Sequence, residues 1–290
     1  MSIAAASLVV LAAFIHATWN MMSKRAAAAG PIFVFAYTLV ACIAYSPWVA
    51  WVIVRSPMNW DAAVPACLIA SGIIHLAYSL CLQRAYQMAD LSVVYPVARG
   101  TGPLLSSMGA FILLGEAPTS LGLAGLVCVV GGIVLVSTQG NLSAFGKPAG
   151  QAGIRWGVAT GLLIASYTVV DAYGVKALAI APVVLDWFAN LLRPILLAPV
   201  VLRTMPRARA AMRGNWWLAI GVGLLSPLSY ILVLAAMDMG APASVVAPAR
   251  EMSMMAGALL GLVVLREPVG LWRIVGCAVM AGGVVMLGLS

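Results

Sequence analysis

Displaced by 152 residues, the chain lies over itself: Tyr78 falls on Tyr230, Ser92-Val93-Val94 on Ser244-Val245-Val246, and Pro96 on Pro248. Displaced by 151, Pro31 falls on Pro182, Arg99 on Arg250, Glu116 on Glu267, Gly125 on Gly276, and Gly131-Gly132 on Gly282-Gly283. A chance overlap of apolar runs would match Leu with Val; it would not align Tyr, Pro, Arg and Glu together. The chain therefore reads as a duplicated unit, and each copy holds five apolar runs. These are 3–22, 31–54, 63–86, 91–113 and 119–137, then 154–175, 182–202, 215–237, 243–264 and 269–289. Each is close to the ~20 residues that cross a bilayer as a helix. The breaks carry Gly30-Pro31, Ser56-Pro57, Ala117-Pro118, Gly146-Lys147-Pro148, Ala181-Pro182, Pro206 and Glu267-Pro268, the expected punctuation. Five is odd, so the second unit must enter the membrane from the opposite side, as in the inverted repeats of secondary transporters. The expected fold is an all-α integral membrane protein. Its ten transmembrane helices form two inverted repeats, residues 1–140 and 153–290, around a central cavity in one compact domain.

Composition closes off the alternatives. The 290 residues are 63% hydrophobic and 8% charged, whereas a soluble domain is about 45–50% apolar and about 25% charged. Sixteen basic and eight acidic side chains cannot clothe a water-soluble globule of this length. That excludes a soluble enzyme, a nucleic-acid-binding domain and a disordered chain. The net charge of +8 is read instead as topology. Lys24, Arg25, Arg84, Lys147, Arg155, Arg203, Arg207, Arg209, Arg213, Arg266 and Arg273 fall in the odd-numbered loops and their flanks. The even-numbered loops hold only Arg55 and Lys176. Because Lys and Arg collect in cytoplasmic loops, both termini are expected outside the cytoplasm, in a multi-pass protein of the cell's inner (plasma) membrane.

The N-terminus lacks the basic region of a signal peptide, and its apolar run continues through Trp19-Asn20-Met21-Met22, so it is expected to be a retained first span. The five cysteines, Cys42, Cys67, Cys81, Cys128 and Cys277, lie in apolar runs without C-x-x-C spacing and read as small core or lipid-facing residues. Gly122, Gly125, Gly131 and Gly132 of span 5, matched by Gly276, Gly282 and Gly283 of span 10, are expected to mark close helix packing. Trp48, Trp51, Trp60, Trp156, Trp216, Trp217 and Trp272 sit near span ends and read as interface anchors.

A family resemblance rests on particular residues. Ala85-Tyr86-Gln87-Met88-Ala89-Asp90-Leu91-Ser92-Val93-Val94-Tyr95-Pro96-Val97-Ala98-Arg99-Gly100-Thr101-Gly102-Pro103, the Gly115-Glu116 end of span 4 and the glycine-rich span 5 resemble the EamA-type branch of the drug/metabolite transporter superfamily. His16-Ala17-Thr18-Trp19-Asn20 is similar to the same branch, and Pro248-Ala249-Arg250-Glu251 with Arg266-Glu267-Pro268 repeats the pattern. The resemblance implies ten helices, a central cavity and solute transport without ATP hydrolysis, with amino-acid exporters as the nearest named function.

Charged groups inside a membrane cost about 2.5–3.5 kcal/mol each on insertion scales, so those present mark function or mutual pairing. They are Arg99, Arg193 and Arg250 with Asp171, Asp186 and Glu251. Arg99 and Arg250 are repeat equivalents and follow helix-breaking Pro96 and Pro248. In span 4 a break is expected to run on through Gly100, Thr101, Gly102 and Pro103. A restarted helix there would aim free N–H groups at a bound carboxylate or phosphonate. The alternative is a packing kink with Arg99 paired to Glu251. Asp186, Asn190 and Arg193 recur on one face of span 7, either to bind an ammonium through Asp186 or to satisfy one another. Asp171, Asp186, Glu251 and His16 are candidate proton carriers, with Asp171 alternatively paired to Lys176. His16 and His75 have no ligand spacing, so no metal is expected.

Trp19, Tyr78, Tyr95, Trp187 and Tyr230, with Tyr167, are central aromatics suited to wall an apolar side chain or an ammonium. No phosphate-binding loop, zinc-protease motif or nucleophile elbow occurs, so no enzymatic activity and no cofactor are expected. The expected function is secondary transport of a small zwitterionic or anionic metabolite by alternating access, above all amino-acid export, by a monomer whose partners are its substrate and the bilayer. The alternative is a carrier of organic cations, choline-like or drug-like, or of phosphonates.

Overall fold

The computed structural model describes residues 1–55, 58–88, 91–146, 148–258 and 270–290, and among these it is helical with no strand. The helices are α1 (Ile3–Arg25), α2 (Pro31–Arg55), α3 (Ala63–Met88), α4 (Leu91–Leu113), α5 (Ser120–Thr138), α6 (Pro148–Lys176), α7 (Pro182–Arg203), a short α8 (Met205–Ala211), α9 (Trp216–Asp238), α10 (Ala243–Ala249) and α11 (Leu271–Leu289). Eight of them contain stretches long and apolar enough to cross a membrane. α4 spans a similar length but is not one of the eight. The ninth expected span begins as α10, tightens into a 3-10 turn at Arg250–Met252 and resumes as helix over 253–258; its remainder lies outside the described residues.

The sequence starts and stops these helices by familiar chemistry. Ser2 caps α1 by accepting the Ala5 N–H at 3.2 Å, Thr119 caps α5 by accepting the Gly122 N–H at 2.9 Å, and Pro182 opens α7 at a position where no N–H is needed. Lys24 and Arg25, Arg55, Lys176 and Arg203 occupy last turns, where cations complement the helix dipole. α6 begins six residues before the expected apolar run at 154, because Pro148 sets the first turn and the polar Gln151 continues it outside the hydropathy signal.

One expectation is corrected. α4 is an unbroken α-helix through Pro96, Gly100, Gly102 and Pro103. α6 lies hard against this stretch and braces it. A Cβ at Gly157 would stand 2.7 Å from Val97 Cβ, one at Gly102 would stand 2.9 Å from Ile164 Cγ2, and one at Gly161 would collide with Thr101 Oγ1. The interruption falls in the repeat-equivalent segment instead, just after Pro248.

α1 lies along α9, α3 along α6, α2 against α7 and α9, α7 against α2 and α3, and α5 against α11. The α5–α11 seam is built from backbone. A Cβ at Gly125 would stand 2.8 Å from Gly283 O, and one at Gly276 would stand 3.0 Å from Gly132 O. The early glycine of α5 meets the late glycine of α11, so the two helices run antiparallel. Gly122 approaches Ser290, just beyond α11, where a Cβ would stand 3.2 Å from its Oγ, whereas Gly131 and Gly282 have no atom within 4 Å of such a Cβ and stand outside the seam.

The bundle is closed at one end. Val9, Val49, Val64, Leu68, Ala110, Val175, Ile180, Leu185, Leu234, Met237 and Val246 pack into one apolar cluster where α2, α4, α6 and α9 finish and α1, α3, α7 and α10 begin. The other end has a smaller cluster of Ala26, Phe33, Ala36, Met212, Leu218 and Val222, drawn from the turn after α1, from α2, from α9 and from the turn before α9. Large apolar side chains such as Ile3, Val54, Ile112 and Val127 are exposed, as are Trp48, Trp51, Trp60, Trp216, Trp217 and Trp272, the surface a bilayer would cover.

Candidate functional site

Between the two ends lies a cavity of about 70 Å³ lined by side chains of α1, α2, α3, α6, α7, α9 and the 3-10 turn. Its charged and polar wall comes from His16, His75, Asp186, Asn190, Arg193, Ser229 and Arg250, and its aromatic wall from Trp19, Tyr37, Tyr78, Tyr167 and Tyr230. Helical spacing accounts for the α7 contribution: Asp186, Asn190 and Arg193 share one face and all three are buried. Asn190 donates to both the carboxylate Oδ2 and the backbone carbonyl of Asp186, each at 2.9 Å. Arg193 makes no hydrogen bond or ion pair among the described residues, and its Nε is buried without a partner. A guanidinium left unsatisfied at that depth is costly unless something from the cavity meets it.

The repeat-equivalent arginines converge as expected, but on the chain's own carboxylate. Glu251 is wholly buried. Arg99 Nη1 donates to both its oxygens, at 3.2 and 3.1 Å, and Arg250 Nη2 stands 4.0 Å from Oε1. Arg99 Nη2 also faces His16 Nε2 at 3.0 Å. Arg99 is thus committed to Glu251 and does not line the main cavity. It lines a smaller one, of about 10 Å³, with Asn20, Tyr78, Leu82, Tyr95 and Thr160, nearer the other end of the bundle. Arg250 does line the main cavity; its Nη2 donates to Tyr167 OH at 3.4 Å and its Nε is buried and unpartnered.

Asp171 is wholly buried behind the wall. Tyr230 OH donates to its Oδ2 at 2.6 Å and His75 Nε2 approaches the same oxygen at 3.0 Å. Oδ1 has no partner. Lys176, the alternative partner considered for Asp171, pairs instead with Glu116 at 2.8 Å. Glu116 also accepts from the backbone N–H groups of Ala243 and Ser244 and from Ser244 Oγ, so it caps α10 at the closed end.

Trp19 donates from Nε1 to Ser229 Oγ at 3.1 Å, which fixes its indole as a wall. Tyr78 lines both cavities, and Tyr95 lines only the smaller, with Arg99 above its ring at 5.4 Å. Trp187 lines neither cavity: its Nε1 donates to Cys42 O at 2.9 Å and its ring packs edge-on against Phe188. Sequence reasoning placed Arg193 on the α7 face without giving it a substrate contact, did not pair His75 with Asp171, and left Tyr167 as one of several central aromatics.

Taken together, a multi-helix apolar bundle with a charged, aromatic-walled cavity near mid-depth has the architecture of a membrane transporter. Residues 3–138, which hold the first five helices, match the model of the EamA-like transporter family. One solved crystal structure, described only as that of a protein, superposes on 100% of this chain and 98% of its own with a TM-score of 0.75, at 16% identity. At that identity the likeness speaks for a shared fold. No curated protein matches the sequence. The molecule is a multi-pass membrane protein of transporter type.

Proposed function

We propose that the protein is a secondary transporter of small zwitterionic metabolites of the amino-acid class, working by alternating access. One observation carries the reading: the cavity presents Asp186 and two buried guanidiniums, Arg193 and Arg250, each with an unpartnered Nε. Asp186 and Arg193 are two turns apart, about 10 Å of helix rise. That separation accommodates an ammonium and a carboxylate on one carbon with a charge-assisted contact at each end. Trp19, Tyr78 and Tyr230 would wall the side chain.

The architecture in this reading is ten spans in two inverted five-helix units, residues 1–140 and 153–290. The antiparallel α5–α11 seam and the exchange-symmetric packing of α1 on α9 and α3 on α6 support it. The basic loops set the orientation, with the termini outside and the smaller cavity toward the cytoplasm. The apolar plug at the opposite end supports loading from the cytoplasm, hence export. A monomer in the inner membrane is part of the same proposal. An organic-cation carrier would leave the two guanidiniums unused, and a phosphonate carrier would leave Asp186 unused.

Purified protein in liposomes preloaded with amino acids should exchange them for labelled amino acids outside. Exchange of choline but of no amino acid would replace this reading with the cation carrier. A cysteine placed in the Arg203–Arg213 loop should resist an impermeant thiol reagent in intact cells, and labelling there would reverse the orientation.

A further inference from the structure

We propose that Asp171 and His75 form the binding site of a coupling proton, so that transport is tied to a proton gradient. The inference rests on the transport reading above. Asp171 carries a charge-bearing group that the substrate cavity does not touch. Its only described routes to the cavity are His75 and Tyr230, both of which line it and both of which meet Oδ2. Its other oxygen, Oδ1, is buried with no hydrogen-bond partner among the described residues. A residue kept only to hold α6 against α3 and α9 would have both oxygens satisfied.

His75 is built to pass the proton. Its ring is stacked on Tyr167 at 4.1 Å between centroids and meets Tyr230 edge-on at 5.4 Å. These contacts fix Nε2 toward Asp171. Nδ1 has no hydrogen-bond partner among the described residues, and the ring forms part of the cavity wall. In the unprotonated state the imidazole is neutral and its Nε2–H donates to the Asp171 carboxylate. A proton arriving from cavity water binds Nδ1, the Nε2 proton moves to Oδ2, and the imidazole is left neutral as the other tautomer. One proton enters and Asp171 ends as the neutral acid; the reverse sequence releases it.

The surrounding groups tie this proton to the substrate. From α3, Cys67 and His75 face Asp171, from α7 Asp186 and from α9 Tyr230, while Arg193 of α7 and Arg250 of the 3-10 turn act on His75. Tyr167 stands beside Asp171 on its own helix, while Arg99 of α4 and Glu251 are turned toward each other. A proton taken up by this pair therefore changes the field at Asp186 directly and at Arg193 and Arg250 through His75, the groups assigned above to the substrate's two charges. Arg250 also reaches the stacked ring through Tyr167 OH, a second contact between the sites. Coupling between proton and substrate is then a difference in electrostatic free energy, reciprocal by necessity.

The test uses the full-length protein in liposomes with the membrane potential clamped by potassium and valinomycin. The probe is an equimolar mixture of the twenty common amino acids, with a pH dye inside. A one-unit pH difference should drive amino acids to an unequal distribution approaching tenfold for one proton per turnover, and adding the mixture should shift the dye signal. Asp171→Asn, which keeps the shape and the Tyr230 hydrogen bond, should abolish both effects, as should His75→Gln. Tyr230→Phe should keep coupling but move its pH profile. Wild-type exchange of amino acids with no response to the pH difference and no dye signal overturns the proton site while leaving the transport reading intact. Retention of gradient-driven accumulation by folded Asp171→Asn overturns it too. Absence of any amino-acid exchange by wild type is instead the failure of the transport reading.

Discussion

Arg99 grips Glu251 through both carboxylate oxygens, 152 positions further along the chain, and neither side chain meets bulk water. Removing one partner strands the other as a buried charge, which costs about 3–5 kcal/mol. Arg99→Gln should therefore lower the melting temperature in detergent sharply. Glu251→Gln should do the same, and the double variant should be less damaged than the two losses combined. Additive losses would mean that the pair is not coupled.

Arg193 differs in kind. With no hydrogen bond or ion pair among the described residues, its replacement breaks no direct contact, and Asp186 keeps its hydrogen bond from Asn190. Arg193→Gln should melt close to wild type yet lose substrate affinity by about 2–5 kcal/mol, which is roughly 30-fold to several thousand-fold. Binding measured by quenching of the cavity tryptophan, Trp19, separates the outcomes. Unchanged affinity would remove Arg193 from the site.

Glu116 gives the closed end a pH dependence. Burial opposes its ionisation, but the hydrogen bonds from Lys176, from Ser244 Oγ and from the N–H groups of Ser244 and Ala243 outweigh it and hold its pKa below the ordinary carboxylate value. The folded state therefore binds fewer protons here than the unfolded state. Its stabilising contribution is complete above the ordinary carboxylate pKa of about 4.3 and is lost as pH falls through the lower folded value. Melting curves from pH 7 down to 3 should show this loss, and Glu116→Gln should flatten it. A variant as acid-sensitive as wild type would assign the effect elsewhere.

The glycine seam separates two substitutions that look alike in sequence. A Cβ at Gly132 would collide with Met280 Cγ and lie 2.7 Å from Gly276 O, a backbone atom that cannot give way; one at Gly131 meets nothing within 4 Å. Gly132→Ala should destabilise by about 1–3 kcal/mol, in the range of overpacking. Gly131→Ala should be neutral or stabilising by up to about 1 kcal/mol from helix propensity. Equal effects on melting temperature would mean that the helices do not meet through these residues.

Helix positions were legible because hydropathy and Gly-Pro punctuation fix where an apolar run must stop. α4 was misjudged for a definite reason. Prolines break isolated helices, whereas Pro96 and Pro103 sit in one braced by Gly157 and Gly161 of α6, a contact no local pattern records. Symmetry pointed to Tyr78, Tyr230 and Arg250, which line the cavity. It passed over Arg193, whose repeat equivalents are Ala41 and Cys42, and His75, whose equivalents are Ser226 and Pro227. Asymmetric residues at a duplicated site leave no repeat to find. Arg99 shares the repeat but not the role: Glu251 and His16 hold it beside the smaller cavity.

α5 and α11, joined through Gly125, Gly132, Gly276 and Gly283, supply none of the side chains that line either cavity. Whatever rearranges around a passing solute, this pair has no contact with it. Spin labels at the exposed Val127 and Val285 would serve as a fixed ruler, returning one distance through the whole cycle while labels on α7 or α10 report movement against it.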